Sequence, residues 1–166
     1  MDYKGKRVMV VGMAKSGIAC AKLLYALGAN VILNDNKQLN EFSEEDRKTF
    51  DLISKERYLG KNPIAIIETI DSMVLSPGVP PKLDFIQKAY ELKKEVIAEM
   101  ELGYRYSKAD IIAITGTNGK TTIHWILYHV LNKLNYPAIR IGSLGIFAEN
   151  KIDRNGKVKT KNSGEI

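Results

Sequence analysis

Short apolar runs and helical stripes alternate along this chain in the order that βαβ units require. Arg7 to Val11 is a short apolar run closing on Gly12, the pattern of a buried strand. From Gly17 onward, Cys20, Leu23, Leu24 and Leu27 keep helical spacing, and Gly28 stands where a helix terminates on glycine. Asn30 to Leu33 predicts a second strand, with Asp35 just past its end. Strand, tight turn, helix and strand within about 30 residues make a βαβ unit with a right-handed crossover. Ser43-Glu44-Glu45-Asp46 reads as a capping box opening a short polar helix. Ile64 to Ile67 and Met73 to Leu75 predict further strands, and the second runs into Ser76-Pro77-Gly78-Val79-Pro80-Pro81. That segment can continue neither a central strand nor a helix, because proline lacks the N–H and fixes φ. Phe85 to Lys94 and Val96 to Tyr106 predict two helices, and this first α/β block is complete by residue 107.

A second block begins with a predicted strand, Ile111 to Thr115, entering Gly116. Beyond it Ile123, Ile126, Leu127, Val130, Leu131 and Leu134 recur at i, i+3, i+4, i+7, i+8 and i+11, a helix stripe that predicts a core-facing surface. Ala138 to Ile141 predicts the next strand of a βαβ unit. Asn155-Gly156, between Lys151-Ile152 and Val158-Lys159, is the signal of a type I′ hairpin. The fold class expected is therefore α/β: a Rossmann-like parallel-sheet domain over 1–107, then the beginning of a P-loop α/β domain over 108–166. One βαβ unit and a hairpin are too little to close a nucleotidase domain, so the chain is expected to stop short of a complete enzyme.

Composition narrows the classes. The 166 residues are 45% hydrophobic, as in a soluble globular protein, and no apolar run approaches the roughly 18 residues of a membrane span. The amino end leads straight into a strand rather than a secretory signal. Cys20 is the single cysteine, so no intrachain disulfide is expected and a reducing cytoplasm is the natural compartment. The net charge of +6 suits anionic ligands without choosing among them. Lys151, Arg154, Lys157, Lys159 and Lys161 form the one local basic cluster; it reads as a solvated hairpin, and no nucleic-acid partner is expected.

Two βα turns carry the chemistry. Gly116-Thr117-Asn118-Gly119-Lys120-Thr121-Thr122 lies between a predicted strand and a helix. Its glycines let backbone N–H groups turn toward phosphate oxygens, and the helix adds the positive end of its dipole. Lys120 offers a point charge to the outer phosphates, and the Thr121 hydroxyl is placed to ligate Mg²⁺. The common G-x-x-x-x-G-K-[ST] pattern has four residues between its glycines and this loop has two, so it is a short variant. The other turn, Gly12-Met13-Ala14-Lys15-Ser16-Gly17, has the layout of a dinucleotide fingerprint, but Ala14 stands where its second glycine belongs. A methyl group there opposes the close approach of a pyrophosphate and weakens an NAD or FAD reading. His124 and His129 lie off the helix stripe without metal-ligand spacing and read as ordinary helix residues.

The short loop Gly116–Thr122, the segment Val96-Ile97-Ala98-Glu99-Met100-Glu101-Leu102, and the first-domain hexapeptide together resemble the Mur ligases of peptidoglycan synthesis. Within that family they are most similar to the branch that adds D-glutamate to UDP-N-acetylmuramoyl-L-alanine. The resemblance implies that Lys15, Ser16 and Gly17 hold the diphosphate of the UDP substrate. Asp35 and Asn36 would meet uracil and ribose, with Lys37 nearby, and Ser76 and Gly78 would close the pocket. It also implies ATP and Mg²⁺ as cofactors, with Gly116 to Thr122 on the phosphates, Lys120 and Thr121 as catalytic residues, and Glu165 as a candidate second metal ligand. The chemistry implied is activation of the muramoyl-alanine carboxylate as an acyl phosphate and its capture by the amine of D-glutamate, in a monomer. A carbamylated lysine and a C-terminal domain would lie beyond residue 166. From Ile141 to Ile146 the sequence is more similar to the family branch acting one step later, and Ser143 stands where an asparagine is usual. Two readings from other classes stay open: a nicotinamide-dependent oxidoreductase, and a non-catalytic module that binds UDP-sugars.

Overall fold

The computed structural model describes residues 2–115, 118–136, 138–142, 145–148, 150–152 and 158–160. The chain divides into two compact units, Met1–Lys108 and Ala109–Ile166. The first holds five parallel strands: β1 (Arg7–Val11), β2 (Asn30–Asp35), β3 (Glu56–Leu59), β4 (Ser72–Leu75) and β5 (Glu95–Ala98), in spatial order β3-β2-β1-β4-β5. Four helices accompany them: α1 (Lys15–Ala26), α2 (Glu44–Ile53), α3 (Asp84–Glu91) and α4 (Glu99–Tyr106).

Alternation along β1 and β2 builds the two layers of core. Val8, Val10, Val31 and Leu33 face one side and pack with Ala21, Leu24, Phe50 and Leu102 of α1, α2 and α4. Met9, Val11 and Ile32 face the other side, with Ile67, Phe85, Ile86 and Ala89. A sheet buried on both faces needs apolar residues at consecutive positions, which is why these strands read as unbroken runs.

Helix ends follow local chemistry. Ser43 accepts the Asp46 N–H at 3.1 Å and opens α2 as the capping pattern requires. At the end of α1, the Ala29 N–H donates to the Leu24 carbonyl and the Gly28 N–H to the Tyr25 carbonyl, with Gly28 at φ +81°. This is the two-bond glycine stop expected of that position. The same pair of bonds closes α3, where Lys93 takes the left-handed position at φ +53°.

Several expectations need correction. Ile64 to Ile67 is not a strand but part of a 3₁₀ helix, Ile64–Thr69. Asn62 Oδ1 accepts the Ile64 N–H at 3.0 Å, and the Ile66 N–H donates back to Pro63 at 3.0 Å. Ile67 and Ile70, three residues apart, are the ones buried. Val96 to Tyr106 is not one helix, because Val96 and Ile97 pair with Met73 and Val74 in β5, and the helix begins at Glu99. The strand β3 gave no apolar signal, since it is an edge strand of half-buried residues with Glu56 and Arg57 at its start. The strand β2 runs on through Asp35, which is its last residue rather than the one beyond it.

In the second unit α5 spans Lys120–Lys133. The strands β6 (Ile139–Gly142) and β7 (Gly145–Ala148) pair antiparallel, as do β8 (Asn150–Ile152) and β9 (Val158–Thr160). Residues 111–115, expected as a strand, have no regular secondary structure, and β6 pairs with β7 instead of closing a parallel βαβ unit. A strand requires a neighbour for its backbone groups, and β6 finds one in its own hairpin. The α5 stripe expected to face a core is largely exposed, with Ile126 at 57% and Leu134 at 61%, while Tyr128 is the buried residue of that helix. Asn155 and Gly156 lie outside the described residues, although Lys151 does pair with Lys159 as a hairpin demands. Among the described residues, no helix is long and apolar enough to cross a membrane.

Two outcomes follow from this packing. Gly28→Ala, whose added Cβ meets only ordinary contacts with Lys4 at 3.4 to 3.8 Å but forces an L side chain to positive φ, lowers stability by roughly 1 kcal/mol in urea unfolding; an unchanged midpoint would contradict the assigned helix stop. Burial, and secondarily the charge of Glu99, push the Cys20 thiol up to about 11. A raised value keeps the neutral thiol dominant up to that pH, so iodoacetamide alkylation at pH 8 runs roughly a hundredfold slower than in the urea-unfolded chain. Equal rates in the two states would contradict it.

Candidate functional site

All five strands of the first unit point the same way, so their last residues gather on one edge of the sheet. Val11, Asp35, Leu59, Leu75 and Ala98 end the strands there, and the loops that follow them crowd together. The strand order reverses direction between β1 and β4, the switch point at which ligands enter open α/β sheets. A cleft of about 660 Å³ opens at this place. It is lined on one side by the first βα turn and by Asn34 to Asn36, and on the other by Ser76 to Pro80 and the start of α3.

The first turn is shaped by contacts that leave no room for larger residues. Gly12 has φ +93°, and a Cβ there would lie 2.8 Å from the Ser76 Cβ. A Cβ on Gly17 would lie 1.8 Å from the Gly12 carbonyl oxygen. Gly17 is thus where α1 presses against the turn that precedes it. The helix begins after Ala14, which supplies no side-chain cap, and its first turn carries no acid. The backbone N–H groups of Lys15, Ser16 and Gly17 have no acceptor among the described residues. Uncapped N–H groups and the positive end of the helix dipole suit an anion.

The end of β2 organises the neighbouring loops. Asp35 accepts the Met13 N–H at 2.6 Å through one oxygen and the Lys37 N–H at 2.9 Å through the other. Its carboxylate therefore ties the first βα turn to the loop after β2, in addition to lining the cleft. Buried Asn34 donates to the carbonyls of Tyr58 and Lys61, at 2.7 and 3.2 Å. Those bonds place Gly60, Lys61 and Asn62 along the cleft wall. Across the far end, Asn62 donates to both carboxylate oxygens of Asp84, at 3.1 and 2.9 Å.

Of the residues expected in the UDP pocket, Ser16, Asp35, Asn36, Ser76 and Gly78 line this cleft. Lys15, Gly17 and Lys37 are not part of its wall. Lys15 is exposed at the helix start, Gly17 is buried beneath the turn, and the Lys37 ammonium stands 5.8 Å from the centre of the Phe42 ring. Sequence reasoning assigned no role to Asn34, Gly60 to Asn62, Asp84 or Glu99. A polar Asn34 inside an otherwise apolar strand, and a glycine following Leu59, were the available signals. Glu99 carried none, because its contact is with a residue 23 positions away.

The other candidate loop is described from Asn118 onward; Gly116, Thr117 and Glu165 lie outside the described residues. Gly119 takes the left-handed conformation, φ +77°, as the N-cap of α5, and open space surrounds the position of its missing Cβ. Lys120, Thr121 and Thr122 form the first helical turn with no acidic residue among them. This end of α5 fits phosphate oxygens, and the Thr121 hydroxyl is the kind of oxygen donor Mg²⁺ accepts alongside phosphate and water. One turn further on, Trp125 stacks on His129 with ring centres 5.2 Å apart.

The comparisons with known proteins agree with this arrangement. The family model described as Mur ligase MurD-like, N-terminal domain, matches residues 6–98. The UDP-N-acetylmuramoylalanine–D-glutamate ligase of Caldicellulosiruptor saccharolyticus is 40% identical over 146 residues, covering 87% of this chain and 32% of that protein. Its counterpart in Thermoanaerobacter pseudethanolicus is 41% identical over 145 residues, with the same coverage of 87% and 32%. The chain thus spans about a third of the length of the relatives it matches. Among solved structures, a pseudomurein peptide ligase type C from Methanothermus fervidus superposes with a TM-score of 0.52 at 26% identity, over 78% of this chain and 26% of that one. A murein peptide ligase from Psychrobacter arcticus, at 16% identity and TM-score 0.51 over 97% of this chain and 35% of its own, shares the fold. The parallel sheet, the cleft at its switch point and a family match over residues 6–98 together place the chain in the Mur ligase family, with an N-terminal domain of the MurD-like kind.

Proposed function

We propose that residues 1–107 bind the UDP portion of UDP-N-acetylmuramoyl-L-alanine, and that residues 108–166 begin the ATPase domain of a ligase that joins D-glutamate to it. The observation that carries this reading is the uncapped start of α1, whose Ser16 lines the cleft and whose Lys15, Ser16 and Gly17 N–H groups have no acceptor among the described residues. A diphosphate supplies the acceptors those groups lack. Uracil and ribose then extend along Asp35 and Asn36, with Ser76 to Gly78 forming the opposite wall. The Ala14 methyl lines the same cleft and opposes the intimate pyrophosphate contact of a nicotinamide dinucleotide.

In the second unit Lys120 would hold the outer phosphates of ATP, and the Thr121 hydroxyl would take one position on Mg²⁺. When bound, these groups supply the phosphoryl donor and the neutralising charge for activating the muramoyl-alanine carboxylate. Transfer of the γ-phosphoryl group of ATP to that carboxylate would release ADP and leave an acyl phosphate, and attack by the amine of D-glutamate would give the amide with release of phosphate and a proton. The contribution of this chain's residues is positioning and charge neutralisation rather than nucleophilic attack.

Calorimetric titration tests the reading, with UDP-N-acetylmuramoyl-L-alanine, UDP and NAD as parallel ligands. The two uridine nucleotides bind and NAD does not. Asp35→Ala, which releases the Met13 and Lys37 N–H groups, weakens uridine nucleotide binding at least roughly tenfold. Tight NAD binding with no heat from UDP would overturn the proposal.

A further inference from the structure

Glu99 is the first residue of α4 and is 7% exposed. No lysine, arginine or histidine is paired with it among the described residues. An unpaired buried carboxyl is unfavourable unless hydrogen bonds compensate for lost water, so what it touches is informative. Among the described residues, its carboxylate accepts a hydrogen bond from the Ser76 hydroxyl. That hydroxyl is itself 3.0 Å from the Gly12 carbonyl oxygen.

The three groups form a chain from α4, through the loop after β4, to the turn before α1. The two loops it joins are the opposite walls of the cleft, and backbone bonds continue it on both sides. The Ser76 N–H donates to Val11 and the Val79 N–H to Ser76, both at 3.0 Å. The Gly12 N–H donates to the Asn34 carbonyl at 2.8 Å. Ser76 is buried, and its single hydroxyl proton lies between two acceptors, the Glu99 carboxylate and the Gly12 carbonyl, so its side chain is already committed before any ligand arrives.

We propose that Glu99 is a positioning residue for the nucleotide cleft, holding the Ser76 hydroxyl against the Gly12 carbonyl so that the two walls keep their separation and the N–H groups at the start of α1 keep their aim. In this arrangement Ser76 acts as a link between loops rather than as a direct ligand contact. Glu99 is the member of the chain that does not line the cleft. The proposal rests on the reading of the cleft as a uridine nucleotide site for its binding consequence, but not for its effect on the loops.

Amide hydrogen exchange and UDP titration on the whole chain test it, using Glu99→Ala, Glu99→Gln, Ser76→Ala and the Glu99→Ala/Ser76→Ala double variant. Gln preserves the hydrogen bond to Ser76, so Glu99→Gln resembles the wild type in both measurements. Glu99→Ala and Ser76→Ala each speed exchange at residues 12–17 and 76–79, leave the α2 amides at their wild-type rates, and weaken UDP binding about tenfold. Because both remove the same link, the double variant is no weaker than either single one by more than about twofold. Exchange that rises only within α4 in Glu99→Ala, or losses in UDP binding that multiply in the double variant, would overturn the proposal. If wild-type protein shows no UDP binding, the nucleotide reading fails while the exchange pattern still decides whether the link exists. Should Glu99→Ala not fold, Ser76→Ala against Glu99→Gln gives the same comparison.

Discussion

The contact between Gly17 and the Gly12 carbonyl is the constraint on which the cleft at the switch point depends. A 1.8 Å approach from a hypothetical Cβ means that α1 can begin directly against β1 only with hydrogen at position 17. That closeness aims the helix N-terminus across the C-terminal edge of the sheet instead of away from it. Gly12, forced to positive φ, turns its carbonyl toward Ser76 and completes the corner. Asp35 then fixes the outer side of the same turn by accepting the Met13 N–H. The site is thus a preorganised gap between loops, held by backbone groups and by three side chains that reach into them.

The two βα turns of this chain differ in what they offer an anion. The first has no basic residue in its wall except Lys61 on the far loop, and offers uncapped N–H groups. The second puts a lysine at the first helical position after a glycine in left-handed conformation, with two hydroxyls behind it. A diphosphate that is only bound and a terminal phosphoryl group that is transferred place different demands on charge. A lysine is suited to the second, where negative charge must be balanced as it moves, and dispensable in the first.

Much of the first unit was legible in the sequence. The runs around Val10 and Ile32 and the glycines at 12, 17 and 28 identify β1, α1 and β2, because burial on both faces and tight turns restrict residue choice severely. The edge strand β3 was not legible, since half-buried positions accept Glu56, Arg57 and Tyr58. The segment Ile64 to Ile67 misled because four apolar residues suit a strand and a 3₁₀ turn equally, and Pro63 with Asn62 decides between them. In Val96 to Tyr106 a β-branched pair claims a sheet position and shortens an apparent helix. Of the residues expected beside the glycine motifs, Ser16 and Gly78 line the cleft and Lys15 and Gly17 do not, whereas Asn34, Asp84 and Glu99 make contacts distant in sequence. The second unit was read less well: a periodic stripe identified α5, but periodicity cannot say what covers it.

The most direct test of the central claim is an NMR titration of the chain with UDP, following backbone amides residue by residue. Binding at the start of α1 predicts the largest shifts at Lys15, Ser16 and Gly17, with smaller ones at Asn36 and Gly78. The amides of Lys120, Thr121 and Thr122 stay in place at the same UDP concentration. Shifts confined to residues 118–122, with none at 15–17, would contradict the account and make the first cleft something other than a diphosphate site.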